Sequence, residues 1–395
     1  MSSGRPLPSR RALAWTAAVA VPAAVGAAVL VPLAASGSVD LPDLTPEQLL
    51  ALAADSDVDQ LSGTLEQTSA LGLPDLGAVT DALGGGSSGG SSGDPGADAD
   101  SRAADVADLL ELVTGTHTAK VYLDGDRARL QVLDELAERN VYVDGAAGEA
   151  WFVDSESQTA TRFVAPEGSG EKPEDGPQAE LPTPQEMIDR ALADLDESTE
   201  VSVGTDGRVA GRDAYELVLT PRTDDTLVGE VRFAVDGETG AALAASVTAR
   251  GASEPAFEIT FTDVDFAAPD AAALTFAPGA GITVEEKELP AWTDADARDH
   301  ADKPAPPASA QPRVSGEGWA TIVEIPAPAG ERDPIAGLAP DQAALLDSVT
   351  TAVDGGRVLE TALVTVLLTD DGRVFAGAVP ADALVAAAAA DAPGR

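Results

Sequence analysis

The chain has 395 residues, with 67 acidic and 24 basic side chains, a formal net charge of −43 at pH 7, and no cysteine. Such a negative field repels nucleic-acid phosphates and anionic lipid head groups, so it argues against a nucleic-acid partner. The missing thiols exclude disulfides, thiolate metal sites, a cysteine nucleophile and a lipid-modified N-terminal cysteine. The acidic surplus fits two explanations, solubility and a specific basic partner.

The first 40 residues have the pattern of a targeting segment. Arg5, Arg10 and Arg11 precede an uncharged apolar run over 12–35. This run is long enough to span a bilayer, because a spanning helix needs about 20 residues. Small residues at 34–36 also offer a signal-peptidase site. A cleaved signal peptide and an uncleaved membrane anchor therefore both fit, and each predicts that the rest of the chain lies outside the cytoplasm.

Residues 41–281 are predicted to form one domain of short strands with few helices. Helices are predicted to begin at Thr45 and Thr183, because a proline follows each threonine and Gln or Glu stands three residues on, as in a capping box. A third amphipathic helix is predicted over 101–113. Strands are indicated by alternating apolar residues and Asp-Gly turns. They are predicted over 61–71, 117–123, 127–133, 140–143, 150–153, 159–164, 202–209, 214–220, 229–235, 242–249 and 255–261.

Two stretches inside this domain are predicted to be loops. Residues 84–100 consist of Gly, Ser, Asp, Ala and Pro, which is typical of a flexible insertion. Residues 166–182 are rich in Pro, Gly and Glu. The strand pattern resumes after each stretch, so neither is interpreted as a domain boundary.

The second strand series has one strongly apolar side, because its large apolar residues recur with the period of two that separates the faces of a strand. We expect this side, with one face of the helix after Thr183, to be a site for a hydrophobic ligand. The candidate site residues are Tyr215, Leu217, Leu219, Val231, Phe233, Val235, Phe257, Ile259, Phe261, Ile188 and Leu192. The alternative is that the helix and the sheet form a filled core.

The C-terminal part is predicted as a linker followed by a small α+β unit. Residues 282–318 are acidic and then rich in Pro and Ala, so they are interpreted as the linker. Over 319–395 we expect a helix at 341–353, a hairpin of strands 357–368 and 373–379 about the Asp-Asp-Gly turn, and a helix at 381–390. This order is a helix-hairpin-helix unit.

No catalytic, metal or cofactor site is predicted. A GxSxG match at 85–89 and an SxxK match at 169–172 both lie in predicted loops, without the strand-to-helix context that a nucleophile needs. His117 and His300 are the only histidines and lack metal-ligand spacing. The Asp-Gly turns lack the distal glutamate of a calcium loop. The chain is therefore interpreted as non-enzymatic.

Four stretches of the sequence resemble a known family. They are 61–73 (LSGTLEQTSALGL), 115–125 (GTHTAKVYLDG), 211–222 (GRDAYELVLTPR) and 254–261 (EPAFEITF). With the order of elements and the ending FAPG at 276–279, they resemble the LolA-like lipoprotein carriers and the N-terminal domain of the RseB-like sigma-E regulators, above all actinobacterial LolA-family members. The resemblance covers about residues 41–285. It implies a mainly β, α+β domain in which a strongly curved antiparallel sheet forms an unclosed half-barrel, with helices covering its concave side.

The resemblance implies two functions. The first is an extracytoplasmic carrier-like protein that holds an acyl chain or a lipidated protein in the half-barrel cavity. The alternative is a membrane-anchored regulatory protein that binds an anti-sigma factor or another envelope partner. An extracytoplasmic hydrolase is a third, less favoured hypothesis. The N-terminal segment, the glycine-rich insertion and the C-terminal unit depart from the carrier pattern and argue against free shuttling between membranes.

Overall fold

The computed structural model describes residues 39, 41–72, 115–133, 138–164, 183–288, 311–327 and 346–390. The predictions for the N-terminal segment, the glycine-rich insertion, the helix at 101–113 and the loop at 166–182 fall outside these residues. No helix among the described residues is long and apolar enough to cross a membrane.

The described part of the chain contains three α-helices of nine or ten residues and nineteen strands. The helices are α1 (Pro46–Ala54), α2 (Pro184–Ala193) and α3 (Ala381–Ala390). The first strands are β1 (Gln60–Ser69), β2 (Thr116–Asp124), β3 (Arg127–Leu133), β4 (Glu138–Asp144), β5 (Glu149–Asp154), β6 (Thr159–Val164), β7 (Thr199–Val203), β8 (Gly207–Val209), β9 (Arg212–Pro221) and β10 (Val228–Asp236). The others are β11 (Ala242–Ala249), β12 (Pro255–Asp265), β13 (Thr283–Glu288), β14 (Arg313–Ser315), β15 (Ile322–Ile325), β16 (Thr351–Val353), β17 (Gly356–Glu360), β18 (Thr365–Thr369) and β19 (Val374–Gly377).

The main sheet contains thirteen strands in the order β13-β6-β5-β4-β3-β2-β1-β12-β11-β10-β9-β7, with β8 also paired to β9. Its outermost strands, β13 and β7, do not pair with each other, so the sheet is not closed into a barrel. The prediction of a mainly β domain with an unclosed sheet is confirmed. The prediction of a purely antiparallel sheet is wrong, because β13 pairs in parallel with β6. Residues 283–288, predicted as linker, form this strand.

Helices α1 and α2 begin where the capping boxes predict. The Thr183 side chain accepts a hydrogen bond from the Glu186 amide at 3.2 Å, and Glu186 accepts one from the Thr183 amide at 2.7 Å. Thr45 and Gln48 form the same reciprocal pair. These bonds satisfy amide groups that the first helical turn otherwise leaves without a partner.

Both helices lie on the same face of the main sheet, which we call the inner face. Leu49 of α1 and Ile188 of α2 are completely buried in the main core. The Ala242 amide of β11 donates a hydrogen bond to the Gln185 side chain at 2.9 Å, which ties the start of α2 to the sheet. The inner face is therefore covered by helices over the half of the sheet that contains β7 and β9–β11.

The opposite, outer face carries a strap formed by the chain between β12 and β13. The strap includes the 3₁₀ turn Ala271–Leu274 and then Phe276. The Phe276 ring lies 5.5 Å from Tyr142 and 5.1 Å from Trp151, measured between ring centroids. The Arg129 guanidinium donates a hydrogen bond to the Ala273 carbonyl at 3.3 Å. The strap thus fastens to the outer face of β3–β5 before the chain adds β13 at the sheet edge.

The C-terminal unit is a six-stranded antiparallel sheet in the order β14-β15-β19-β18-β17-β16, with α3 packed on β18 and β19. The hairpin of β18 and β19 and the helix over 381–390 are confirmed. The helix-hairpin-helix description is too simple. Residues 346–349 are helical, but 351–353 form β16, and the predicted strand 357–368 is broken into β17 and β18.

The break between β17 and β18 carries a residue into the main core. Leu363 is 2% exposed and belongs to the core of the main sheet, not to that of the C-terminal sheet. The neighbouring Ala362 amide donates a hydrogen bond to the Leu71 carbonyl at 2.9 Å. The two sheets are thus joined through buried contacts.

Two further contacts join the units at the same end of the main sheet. The Trp319 indole donates a hydrogen bond to the Thr199 hydroxyl at 2.9 Å, and the Leu227 amide donates one to the Ala378 carbonyl at 2.8 Å. Thr199 begins β7, Leu227 precedes β10, and Leu71 follows β1. Antiparallel pairing brings these strand ends together, so the C-terminal unit packs against one end of the main sheet.

Candidate functional site

The structure brings the eleven predicted site residues together on the inner face and on α2. The register aligns Leu219 with Val231, and Val247 of β11 with both Val231 and Phe257. Leu217, Phe233 and Ile259 form the next row through Ala245 of β11. Period-two alternation places these rows on one face, as the sequence predicts.

These residues form a packed core with α1 and α2. All except Leu192 are buried, and Leu192 packs against the same cluster. Leu49 and Ala53 of α1 fill the space above the strands. This arrangement matches the filled-core alternative for this half of the sheet, and contact of a ligand with these residues stays a prediction.

Tyr215 also borders a polar cavity of about 280 Å³ with Asp43 and Asp206. Its hydroxyl donates a hydrogen bond to the Pro42 carbonyl at 3.0 Å. Burial raises the pKa of Tyr215, and the charges of Asp206 and Asp43 raise it further. A cavity bordered by carboxylates does not suit an apolar ligand, because those groups lose their hydration when such a ligand enters.

A second apolar region lies on the inner face of β2–β6, and sequence reasoning missed it. We call it the apolar strip, and its residues are Leu123, Ala128, Val141, Val143, Ala150, Phe152 and Phe163. The register places them on one face, in two rows. The first row runs across the strands from Leu123 through Ala128, Val143 and Ala150 to Phe163, and in the second row Val141 lies opposite Phe152. Each is half-buried, and none belongs to either core cluster of the described residues.

The apolar strip continues the core rather than standing apart from it. Val121 and Leu130 share its face and pack at the margin of the main core. At the other end of β4 and β5 the inner face becomes polar, because Arg139 of β4 lies opposite Asp154 of β5 in the strand register. The strip is therefore an apolar surface with the core on one side and a charged rim at one end.

The sequence does contain a pattern that indicates this strip, because apolar residues recur at every second position of β2–β5. The stretches are 121–123, 128–132, 141–143 and 150–152. This pattern is weaker than the pattern of the second strand series because the outer face of these strands is also aromatic, with Tyr122, Tyr142 and Trp151. The strap accounts for those outer aromatics. Only the packing of Phe276 on that side reveals which face carries the strap.

The outer face carries one unusual titratable group on the central strand β12. Glu258 is 8% exposed and lies opposite Thr68 of β1 and Ser246 of β11. Burial, and after it the charge of Glu66, raises the pKa of Glu258 to about 7. The described residues contain no group of three or more His, Asp or Glu side chains arranged to hold a metal ion.

No protein-family model and no curated protein matches the sequence. Among solved structures, the chain is similar to the MucA/MucB complex of Pseudomonas aeruginosa, with 17% identity, a TM-score of 0.40, and coverage of 86% of this chain and 96% of that one. It is also similar to a LolA superfamily protein from Nitrosomonas europaea, with 12% identity, a TM-score of 0.22, and coverage of 59% and 99%. A third is a putative outer membrane lipoprotein-sorting protein domain from Vibrio parahaemolyticus, with 11% identity, a TM-score of 0.20, and coverage of 56% and 92%.

Proposed function

We propose that this protein is an extracytoplasmic binding protein that holds the acyl chain of a lipid or lipidated protein against the apolar strip. The observation that carries the proposal is the contrast between the two halves of the inner face. Over β7 and β9–β11 the face is packed under α1 and α2, whereas over β2–β6 the large apolar side chains are only half-buried and belong to neither core cluster of the described residues. An apolar sheet face of this kind is stabilised by a covering layer or by a ligand.

The dimensions of the apolar strip suit an acyl chain. The strip crosses five neighbouring strands, β2 to β6, and therefore extends about 19 Å, because neighbouring strands lie about 4.8 Å apart. Each buried methylene contributes about 0.8 kcal/mol. A long acyl chain therefore gains enough free energy to offset the entropy lost on binding.

The experiment is titration of the purified full chain with a fluorescent long-chain fatty acid, comparing the native protein with Phe152→Ser. Phe152 lies at the middle of the apolar strip, so we expect the variant to weaken binding about tenfold, since truncating a buried aromatic side chain costs more than 1.4 kcal/mol. Val284→Ser is the matched control, because Val284 is an exposed apolar residue on the outer face of β13. Absence of binding by the native chain, or equal binding by Phe152→Ser, contradicts the proposal.

The extracytoplasmic location in this proposal rests on the arginines and apolar run of residues 1–40. We expect a protease added to intact cells or spheroplasts to digest the protein. Mass spectrometry of its N-terminus separates a cleaved signal peptide from a retained anchor. Protection of the whole chain from protease contradicts this location.

The sheet edge favours a second candidate function, binding of an envelope protein partner such as an anti-sigma factor. Strand β13 pairs with β6 on one side only in the described structure, and its Val284 is 47% exposed. Extended peptides bind such edges by adding a strand. Crosslinking in intact cells tests it: loss of a protein partner in Val284→Asp, with fatty-acid binding unchanged, favours this second function.

A further inference from the structure

The second row of the apolar strip leads across the inner face to the main core and ends at a glycine. From Phe152 the register runs through Val141, Leu130 and Val121 to Gly63 of β1. Leu130 and Val121 already pack with the main core. Gly63 therefore lies at the core end of the strip.

The space above Gly63 is occupied by the ring of Phe261. A Cβ atom at position 63 would lie 2.7 Å from Cε1 and 2.8 Å from Cδ1 of that ring. Both distances are shorter than van der Waals contact, so the ring lies directly on the glycine backbone, a close approach that a larger residue would prevent. Phe261 is 6% exposed and belongs to the main core. The ring therefore forms the wall between the core and the strip at this position.

A β-bulge in β12 contributes to the position of this ring. The register shifts between Thr64 and Leu65 of β1, which leaves Thr262 of β12 as the extra residue. Phe261 and Val264 therefore share the inner face although they are three positions apart, because the extra residue of a bulge offsets the alternation of faces. The Thr262 hydroxyl donates a hydrogen bond to the Thr64 carbonyl at 3.2 Å. The place of the ring thus depends on two paired strands and not on a loop.

From these observations we infer that Phe261 is a specificity-determining residue, which sets the longest acyl chain that the apolar strip accepts. The inference rests on the proposed function. Because the ring closes the core end of the row, the methyl end of a bound chain stops against it above Gly63. The strip ends on its other side at the sheet edge, where Lys287 of β13 is exposed and lies beside Phe163. The polar head of the ligand lies at that edge.

Calorimetric titration of the purified full chain with saturated fatty acids of increasing length tests the inference. For the native protein we expect the affinity to rise about fourfold with each added methylene and to level off once the chain reaches the ring. In Phe261→Ala the rise is expected to continue, so that acids about two methylenes longer bind about tenfold more tightly than they bind the native protein. Phe261→Leu, a milder change, is expected to shift the profile in the same direction by less.

Phe257→Leu is the matched control for Phe261→Leu. Phe257 lies on the same face of β12 in the main core, but opposite Ser69 of β1 and away from the glycine, so we expect it to leave the chain-length profile unchanged. Thermal unfolding checks that each variant is folded, and Phe261→Leu decides the outcome if Phe261→Ala does not fold.

The outcomes separate this inference from the proposed function. Suppose that the native protein binds fatty acids and that Phe152→Ser weakens the binding, while Phe261→Leu keeps the native chain-length profile. The inference is then overturned and the proposed function is not. An equal shift in Phe257→Leu also overturns it, because the shift then reflects a general loosening of the core. Absence of fatty-acid binding by the native chain overturns both.

A second measurement locates the methyl end of the ligand without a change at Phe261. Stearate that carries a nitroxide near its methyl end is expected to broaden the amide NMR signals of Gly63 and Val121 in the native protein. Stearate that carries the nitroxide near its carboxylate is expected to broaden those of Thr161 and Phe163 instead. The reverse pattern, or equal broadening by both probes, overturns the inference.

Discussion

At the scale of single residues, Glu258 differs from a surface carboxylate in its burial and in its raised pKa. It lies on the outer face of β12, 8% exposed, and burial with the charge of Glu66 raises its pKa to about 7. A pKa raised on folding means that the folded protein holds the proton more tightly than the unfolded chain does. The stabilising effect of this difference is fully present below pH 4.5 and is lost as the pH rises through about 7.

We expect Glu258→Gln to remove this pH dependence, because the amide stays neutral. Relative to the native protein, the variant should gain about 2–3 kcal/mol in free energy of unfolding between pH 4.5 and 8, since one pKa unit corresponds to about 1.4 kcal/mol. Urea unfolding of both proteins across this pH range measures the difference, and the subtraction removes the shared effect of the other carboxylates. Glu66→Gln should reproduce a smaller part of it. Parallel pH profiles for the native protein and Glu258→Gln contradict this prediction.

At the scale of elements, the capping box of α2 decides where that helix begins. Thr183 and Glu186 exchange hydrogen bonds at 3.2 Å and 2.7 Å, and the helix then places Ile188 in the main core. The helix has only ten residues. A helix of this length is marginal alone, so its end contacts and its packing both contribute to its stability.

We expect Thr183→Ala to lower the free energy of unfolding by about 1 kcal/mol, because it leaves amides of the first turn without their acceptor. Denaturant unfolding followed by circular dichroism measures this. Gln185→Glu tests the neighbouring contact, in which the Ala242 amide binds the Gln185 carbonyl oxygen, and should change the stability less because a carboxylate still accepts that bond. Equal stability of Thr183→Ala and the native protein contradicts the role of the cap.

At the scale of the whole molecule, Leu363 is a buried contact between the two sheets. It leaves the C-terminal sheet between β17 and β18 and enters the core of the main sheet. Few described hydrogen bonds connect the two units, among them those of Ala362, Trp319 and Leu227. The buried leucine is therefore expected to carry much of the coupling between the two units.

We expect Leu363→Ala to cost about 2–5 kcal/mol, the usual range for truncating a buried leucine, and to separate the unfolding of the two units. Leu367→Ala is the control, because Leu367 is equally buried but lies in the core beneath α3. Differential scanning calorimetry should show two resolved transitions for Leu363→Ala and one for the native protein. A single transition in Leu363→Ala, shifted only in temperature, contradicts the coupling role.

The sequence by itself determined the features that depend on local chemistry. The capping boxes at Thr45 and Thr183 follow from residues three positions apart, and the β18–β19 hairpin follows from its Asp-Gly turn. The apolar rows of β9, β10 and β12 follow from alternation along each strand, because neighbouring residues of a strand point to opposite faces. These signals were sufficient to predict a mainly β chain, whereas the unclosed sheet was predicted from the family resemblance.

Only the tertiary structure decided which apolar face the described helices cover. The sequence shows that Phe257 and Phe152 both lie in apolar strands, but not that Phe257 is buried in the core formed with α1 and α2 while Phe152 is only half-buried. The same holds for three other features, which all depend on contacts between residues far apart in the chain. They are the parallel pairing of β13, the packing of Phe276 of the strap on the outer face, and the entry of Leu363 into the main core. Local pattern does not encode such contacts, because they depend on how complete elements pack.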